Sequence, residues 1–333
     1  MTKTQQVLLA KRPSGLPDAD TWRVTTEELP AIAAGQILVK VDLISIDPAM
    51  RGWLNDVRSY LPPVGIDEVM RSLDIATVVE SAHPDFAVGD TVSGTFGVTE
   101  YAISDGNGVQ RIDLGIAPAA TWLGALGMPG MTAYFGLLEV GKLRAGETVV
   151  ISAAAGAVGG VAGQIAKAFG ARVIGIAGGA QKCRVLIEEL GFDAAIDYRG
   201  EDVLHRLREL APEGIDVFFD NVGGDILDAA LANLARGARV VICGAISSYN
   251  DDKPAPGPSR YMSLLIFRAS MTGFVVFDYR DRYGEAVAKI SQWLADGKIK
   301  AREHVVEGGV ARFGETLNML FVGANTGKLV LAI

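Results

Sequence analysis

Two rhythms of apolar and polar positions divide the chain. From Glu147 onward, short β-branched runs take turns with helical repeats. "TVVIS" (148–152) reads as a strand, and behind it Val158, Val161, Ala162, Ile165 and Phe169 recur at helical spacing. Further strands are predicted at 172–177, 194–197, 216–220, 239–244 and 271–276. Between them lie helical patterns at 181–190, ended by Gly191, near 201–211, and at 225–235. Six strands separated by helices must run parallel with right-handed crossovers, so the region is predicted to be an α/β, doubly wound sheet that binds ligand at its carboxyl edge.

Residues 1 to about 125 follow a different rhythm. "QILVKVDLISI" (36–46) and "DIATVVESA" (74–82) read as strands, and Val88-Gly89-Asp90 as a turn, which suggests a β-rich domain without regular crossovers. After a helical stretch at 281–296, the tail "TGKLVLAI" (326–333) is again strand-like and could return to the first domain. Leu114 to Leu138 carries no charge and is long enough to span a bilayer. Pro118, Pro129 and five glycines interrupt it, however. It reads better as two buried helical pieces, "AATWLGALG" and "MTAYFGLLEVG", joined at "MPG".

The 333 residues favour two domains. A net charge of −8 with no basic cluster offers no footprint for nucleic acid or an anionic membrane. Near the N-terminus only Val7 to Ala10 is apolar, too short for a signal-peptide core. With only Cys183 and Cys243, no disulfide framework is implied and a reducing cytoplasm is the natural setting. His83, His205 and His304 are scattered without paired spacing, so no metal site is expected.

The first predicted strand of the α/β region breaks into "AAAGAVGG". There Ala154-x-Gly156-x-x-Gly159, with Ala157 and Val158 between the glycines, has the spacing of a dinucleotide fingerprint with alanine at its first position. The middle glycine lets a diphosphate approach main-chain N–H groups, and the third lets the helix sit close to the sheet. Small residues also occur wherever a helix crosses a strand closely, so the βαβ context carries the inference. An NAD-preferring fold would place an acid at the end of the next strand, but "IAGGAQK" (176–182) has none. NADPH is the better choice. Gly178 would lie beside the ribose, Lys182 could meet the 2′-phosphate, and Tyr198 and Arg199 follow the next strand. Lys182 is equally readable as an ordinary residue in a helix's first turn.

Seven motifs together resemble the zinc-independent medium-chain dehydrogenase/reductases of the leukotriene B4 dehydrogenase/prostaglandin reductase-like family, and most closely its bacterial curcumin and alkenal reductases. They are "IDPAMRGW" (46–53), "SYLPPVGIDEVMRS" (59–72), "GMPGMTAYFGL" (127–137), "AAAGAVG" (153–159), "FFDNVGG" (218–224), "ISSYN" (246–250) and "NTGKLV" (325–330). The resemblance implies a GroES-like substrate domain over 1–125 and 300–333 and a Rossmann domain over 126–299. It also implies a homodimer, often built by joining two nucleotide-domain sheets, and NADPH-dependent reduction of a double bond conjugated to a carbonyl.

The same resemblance supplies candidate roles. Tyr261 matches the position proposed as the acid in the curcumin-reductase group, Tyr249 would lie near the nicotinamide, and Tyr60 would line the pocket. The plant and animal branch has its tyrosine nearer the "GF" strand, where this chain has Ile266, which leaves the donor open among the three. Each would also serve as a packing residue. Asn221, Met131, Thr132 and Asn325 are implied cofactor contacts, although Asn221 could equally make a turn and Thr132 cap or pack a helix. Tyr60, "LPP" and the loop 250–260 would set the pocket volume. A zinc-free quinone reductase and a non-enzymatic NADPH-binding sensor are the competing readings.

Overall fold

The computed structural model describes residues 2–251, 253 and 255–333, so Asp252 and Pro254 of the 250–260 loop lie outside the described residues. The chain divides into two compact units, Met1–Leu123 with Glu303–Ile333, and Gly124–Arg302.

The first unit is β-rich. Its strands are β1 (Lys3–Leu9), β2 (Trp22–Glu28), β3 (Ile37–Ser45), β4 (Asp74–Ser81), β5 (Thr91–Gly94), β6 (Tyr101–Ser104) and β7 (Gln110–Arg111), joined from the far end of the chain by β14 (Glu303–Val306) and β15 (Lys328–Ala332). β1 and β2 form an antiparallel ribbon, and the larger sheet runs β14-β15-β3-β4-β5-β7 with β6 also on β3. β3 can serve several partners because it is long and irregular: residues 37–40 pair with β6, residues 43–45 with β15, and register shifts interrupt its ladder with β4. Ile37, Val39, Val41 and Ile44 are buried, together with Met50 of the short α1 (Ala49–Trp53) and Phe313 and Leu317 of α9 (Phe313–Phe321). At the end of β3 a lysine is buried as well. Lys328 Nζ donates to Asp47 Oδ1 (2.7 Å) and Ile46 O (2.9 Å), so the ammonium is paired and hydrogen-bonded as burial requires.

The second unit is the predicted doubly wound sheet. β8 (Thr148–Ile151), β9 (Arg172–Ala177), β10 (Ala194–Asp197), β11 (Ile215–Asp220), β12 (Leu234–Ile242) and β13 (Ser270–Gly273) lie in the order β10-β9-β8-β11-β12-β13, all parallel. This is the Rossmann order, with its switch point between β8 and β11. The helices are α2 (Met128–Phe135), α3 (Ala157–Ala168), α4 (Ala180–Arg184), α5 (Val203–Leu210), α6 (Gly224–Leu231), α7 (Met262–Phe267) and α8 (Tyr283–Ala295). Val150, Ile174, Ile176, Phe218 and Val240 fill the core from successive strands. Two boundaries differ from expectation. "MPG" does not join two helices but opens α2, with Pro129 in the first turn, where no N–H is needed. The helix expected to reach Ala235 stops at Leu231, because Leu234 already pairs with Ile215. No helix among the described residues is long and apolar enough to cross a membrane.

Candidate functional site

Because its six strands are parallel, the sheet of the second unit brings all their carboxyl ends to one edge. After β8 the chain turns sharply: Ala153 adopts a left-handed φ of 48°, Gly156 N donates to Ala153 O (2.9 Å), and Ala154 N reaches Ile176 O on β9 (3.0 Å). A non-glycine residue in that conformation is uncommon and marks a turn held by its surroundings. Gly156 then starts α3 in an extended conformation with no side chain capping it. The first-turn N–H groups of Ala157 and Val158 must therefore be satisfied from outside the helix, which is how helix N-termini hold anions.

The two fingerprint glycines do different work. A Cβ on Gly159 would sit 2.5 Å from Ala153 O and 2.8 Å from Ala154 Cα, so this position is needed for α3 to approach the turn. On Gly156 it would meet only Ala153 O, at 3.1 Å, so the bare backbone there serves something outside the chain. Alanine at the first fingerprint position is accommodated from the neighbouring strand. A Cβ on Gly175 of β9 would lie 2.9 Å from the Ala154 Cβ, so the methyl occupies space that Gly175 leaves.

Beside this turn, the ends of β9 and β10 gather positive charge. A Cβ on Gly178 would be 2.9 Å from the Tyr198 ring, which lies against that turn. Asp197 does not replace the missing acid, because its Oδ1 accepts from Gly179 N (2.7 Å) and Arg199 N (3.0 Å) and so fixes the backbone. The Arg199 guanidinium lies 6.0 Å from the Tyr198 ring centroid. Burial and the nearby Arg199 charge hold the Lys182 ammonium below its ordinary pKa. Two cations drawn together beside a glycine turn fit a phosphate group.

Across the switch point, Asp220 is fully buried and accepts from Ser152 Oγ (2.8 Å), Val222 N (3.0 Å) and Gly223 N (3.1 Å). Burial raises its carboxyl above the usual range against the pull of these donors. Asn221 is tied into the same knot: its N donates to Ser152 Oγ (2.8 Å) and its Nδ2 to Ser152 O (2.7 Å), which leaves Oδ1 as the acceptor it can offer a ligand. After β12, Tyr249 Oη accepts from Ala245 N (3.2 Å). Burial, then the Asp220 charge, push the Cys243 thiol up to about 12.

The remaining candidates sit on other elements. Met131 is buried in α2, and Thr132 Oγ1 is occupied by Met128 O (2.8 Å) in the same helix. Tyr261 precedes α7 and is 60% exposed. In the first unit Tyr60 is 55% exposed, and Asn325 is buried with its Nδ2 donating to Gly327 O (3.0 Å). Sequence reasoning missed Ser152 and Asp220. Their signal was a polar residue directly after the buried run of β8, and an acid ending the buried run of β11.

Two family models match the chain: an N-terminal domain of oxidoreductase over residues 5–112, and a zinc-binding dehydrogenase over residues 157–292. The chain is 40% identical to the NADPH-dependent curcumin reductase of Escherichia coli, over 99% of this chain and 97% of that one. It is 36% identical to prostaglandin reductase 1 of Mus musculus, over 99% of both. This chain belongs to the medium-chain dehydrogenase/reductases, in their prostaglandin and curcumin reductase branch. The crystal structure of CurA in complex with NADPH from Vibrio vulnificus superimposes on this family member with a TM-score of 0.93 at 43% identity, covering 98% of each chain. Among the described residues no group of three or more His, Cys, Asp or Glu could hold a metal ion.

Proposed function

We propose that this chain is an NADPH-dependent reductase of the carbon–carbon double bond of α,β-unsaturated ketones and aldehydes, acting on a small-molecule enone. The carrying observation is the uncapped start of α3 behind Gly156, beside the crowded cations Lys182 and Arg199. That pairing matches a diphosphate and a further phosphate on one ligand, and the curcumin and prostaglandin reductases align over nearly the whole chain.

NADPH, when bound, supplies a hydride to the β-carbon of the enone. The main-chain N–H groups of Ala157 and Val158 face the diphosphate. Gly178, Tyr198 and Lys182 take the adenosine end, with Lys182 discriminating for the 2′-phosphate. Asn221, Met131, Thr132 and Asn325 are the remaining cofactor contacts. The chain must also stabilise negative charge on the carbonyl oxygen and return a proton to the α-carbon. A positioned hydroxyl does the first, and such donors are worth about 3 kcal/mol. Tyr261 is the assigned proton donor, with Tyr249 and Tyr60 as hydroxyls of the substrate region. The hydrogen bond that Tyr249 Oη accepts from Ala245 N makes its O–H a stronger donor.

The first unit is the substrate domain and the second the cofactor domain. The enzyme works as a homodimer: β13 is an edge strand whose residues are all exposed, and Leu265 and Ile266 of α7 are 70% and 59% exposed. An exposed edge flanked by apolar side chains is a template for pairing with a second copy about a two-fold axis. Two unpaired cysteines support a reducing, cytoplasmic setting. The deciding experiment is turnover of butenone with NADPH labelled at the transferred hydrogen. Label at the β-carbon is expected, whereas label at the carbonyl carbon, or no turnover across an enone panel, overturns the assignment.

A further inference from the structure

α6 leaves the Asn221 turn at the carboxyl edge, and Asp228 stands on its second turn. The Asp228 carboxylate receives three hydrogen bonds, all from the two residues immediately before Tyr261. Ser259 Oγ donates to Oδ2 (2.6 Å), Ser259 N to Oδ2 (3.2 Å) and Arg260 N to Oδ1 (3.1 Å). Nothing comparable is contributed by Tyr261 itself: the residue is 60% exposed, and its side chain makes no cap to the short helix α7 that it precedes. The described residues 255–258 upstream adopt no regular secondary structure. The direction in which the chain enters Tyr261 is therefore fixed by the carboxylate of a different helix.

We infer that Asp228 is a positioning residue for the reaction, a clasp that holds the Ser259–Arg260 segment against α6 and thereby sets the place of the Tyr261 hydroxyl. Burial raises the Asp228 carboxyl, but Ser259 and Arg260 outweigh it and hold its pKa below the usual range, so the clasp is ionised at neutral pH. A charged acceptor suits this task, since hydrogen bonds to an ionised group are stronger than neutral ones. Asp228 need not touch substrate or cofactor. Its effect must pass through Tyr261, which is what distinguishes it from general support of the fold.

The inference rests on the enone-reductase reading, and a double-mutant cycle separates the two. In Asp228→Ala we expect kcat with butenone to fall about tenfold, with the NADPH dissociation constant, read by nicotinamide fluorescence, within twofold of the parent. In a Tyr261→Phe background the same substitution should have no further effect. Trypsin cleavage after Arg260 should accelerate at least fivefold in Asp228→Ala, and Asp228→Glu should recover part of kcat. If Asp228→Ala keeps the parent kcat, or lowers it equally in both backgrounds, or if Tyr261→Phe is fully active, Asp228 is not a clasp for that hydroxyl. If the parent enzyme turns over no enone at all, the functional reading fails instead.

Discussion

Alanine at each of the two fingerprint glycines should give opposite results, because the two meet different surroundings. At Gly159 the added methyl would press to 2.5 Å on Ala153 O and 2.8 Å on Ala154 Cα, both backbone, so α3 must move away from the turn. Overpacking of this kind costs about 1–3 kcal/mol, equivalent to a fall in melting temperature of about 2–12 °C for a domain of this size. At Gly156 the methyl would meet only one carbonyl, at 3.1 Å, a contact relieved by a few tenths of an ångström. Gly156→Ala should therefore leave the melting temperature within about 1 °C, since its cost in the free protein is only a few tenths of a kcal/mol. The methyl would, however, stand where a diphosphate has to approach the N–H groups of Ala157 and Val158. Losing one hydrogen bond to a charged group, at about 1.5–3 kcal/mol, raises the NADPH dissociation constant about 10- to 150-fold, and losing two raises it further. Differential scanning fluorimetry without ligand and fluorescence titration with NADPH read the two effects separately. An affinity unchanged in Gly156→Ala would refute the placement of diphosphate at this turn, whatever the stability of either variant.

Four further outcomes rest on charge and on the sheet edge. Lys182→Ala should weaken NADPH about 10- to 150-fold and NADH less than twofold, because only the former carries the phosphate; equal losses in the two titrations would remove that role. In the parent, the preference for NADPH should also decline as pH rises through the lowered Lys182 pKa, since the anion binds the protonated amine. Asp74, buried under Ser72 Oγ, Phe96 N and Gly97 N, has a pKa raised by burial to about 7 from 3.8. The folded state then holds the proton more tightly than the unfolded one. This contribution to stability, on the order of 4 kcal/mol, is full below pH 3.8 and lost as pH rises to about 7. Urea unfolding of the parent and Asp74→Asn across that window should show the parent losing stability relative to the variant, and parallel curves would contradict it. For the proposed dimer, Met271→Lys, which places a charge on the β13 edge, should favour the monomer in sedimentation velocity; an intact dimer would rule out pairing through that strand.

The sheet of the second unit was legible because its strands are β-branched runs separated by helical periods, a local signal that its neighbours reinforce. The end of α6 was not. Leu234 and Ala235 continue an apolar helical pattern, and only pairing with Ile215, a contact remote in sequence, draws Leu234 into β12. In the first unit β5, β6 and β7 are four, four and two residues long, so their register is set by partners rather than by their own periodicity. The candidate site divides in the same way. The glycine turn and the missing acid could be read from spacing, since both are properties of consecutive residues. Ser152 with Asp220, and Asp228 with Ser259, are hydrogen bonds across 68 and 31 positions, and no spacing rule joins them.

The place of β15 bears on how the protein is made. This strand lies between β14 and β3, yet residues 303–333 emerge only after the whole second unit has been synthesised. The parallel sheet can close on itself while the ribosome is still at work, whereas the earlier β-rich unit waits with residues 43–45 of β3 lacking their β15 partner and Asp47 without its ammonium partner. Translation order therefore puts the wait on the first unit, and Lys328 is the late-arriving counter-ion that ends it.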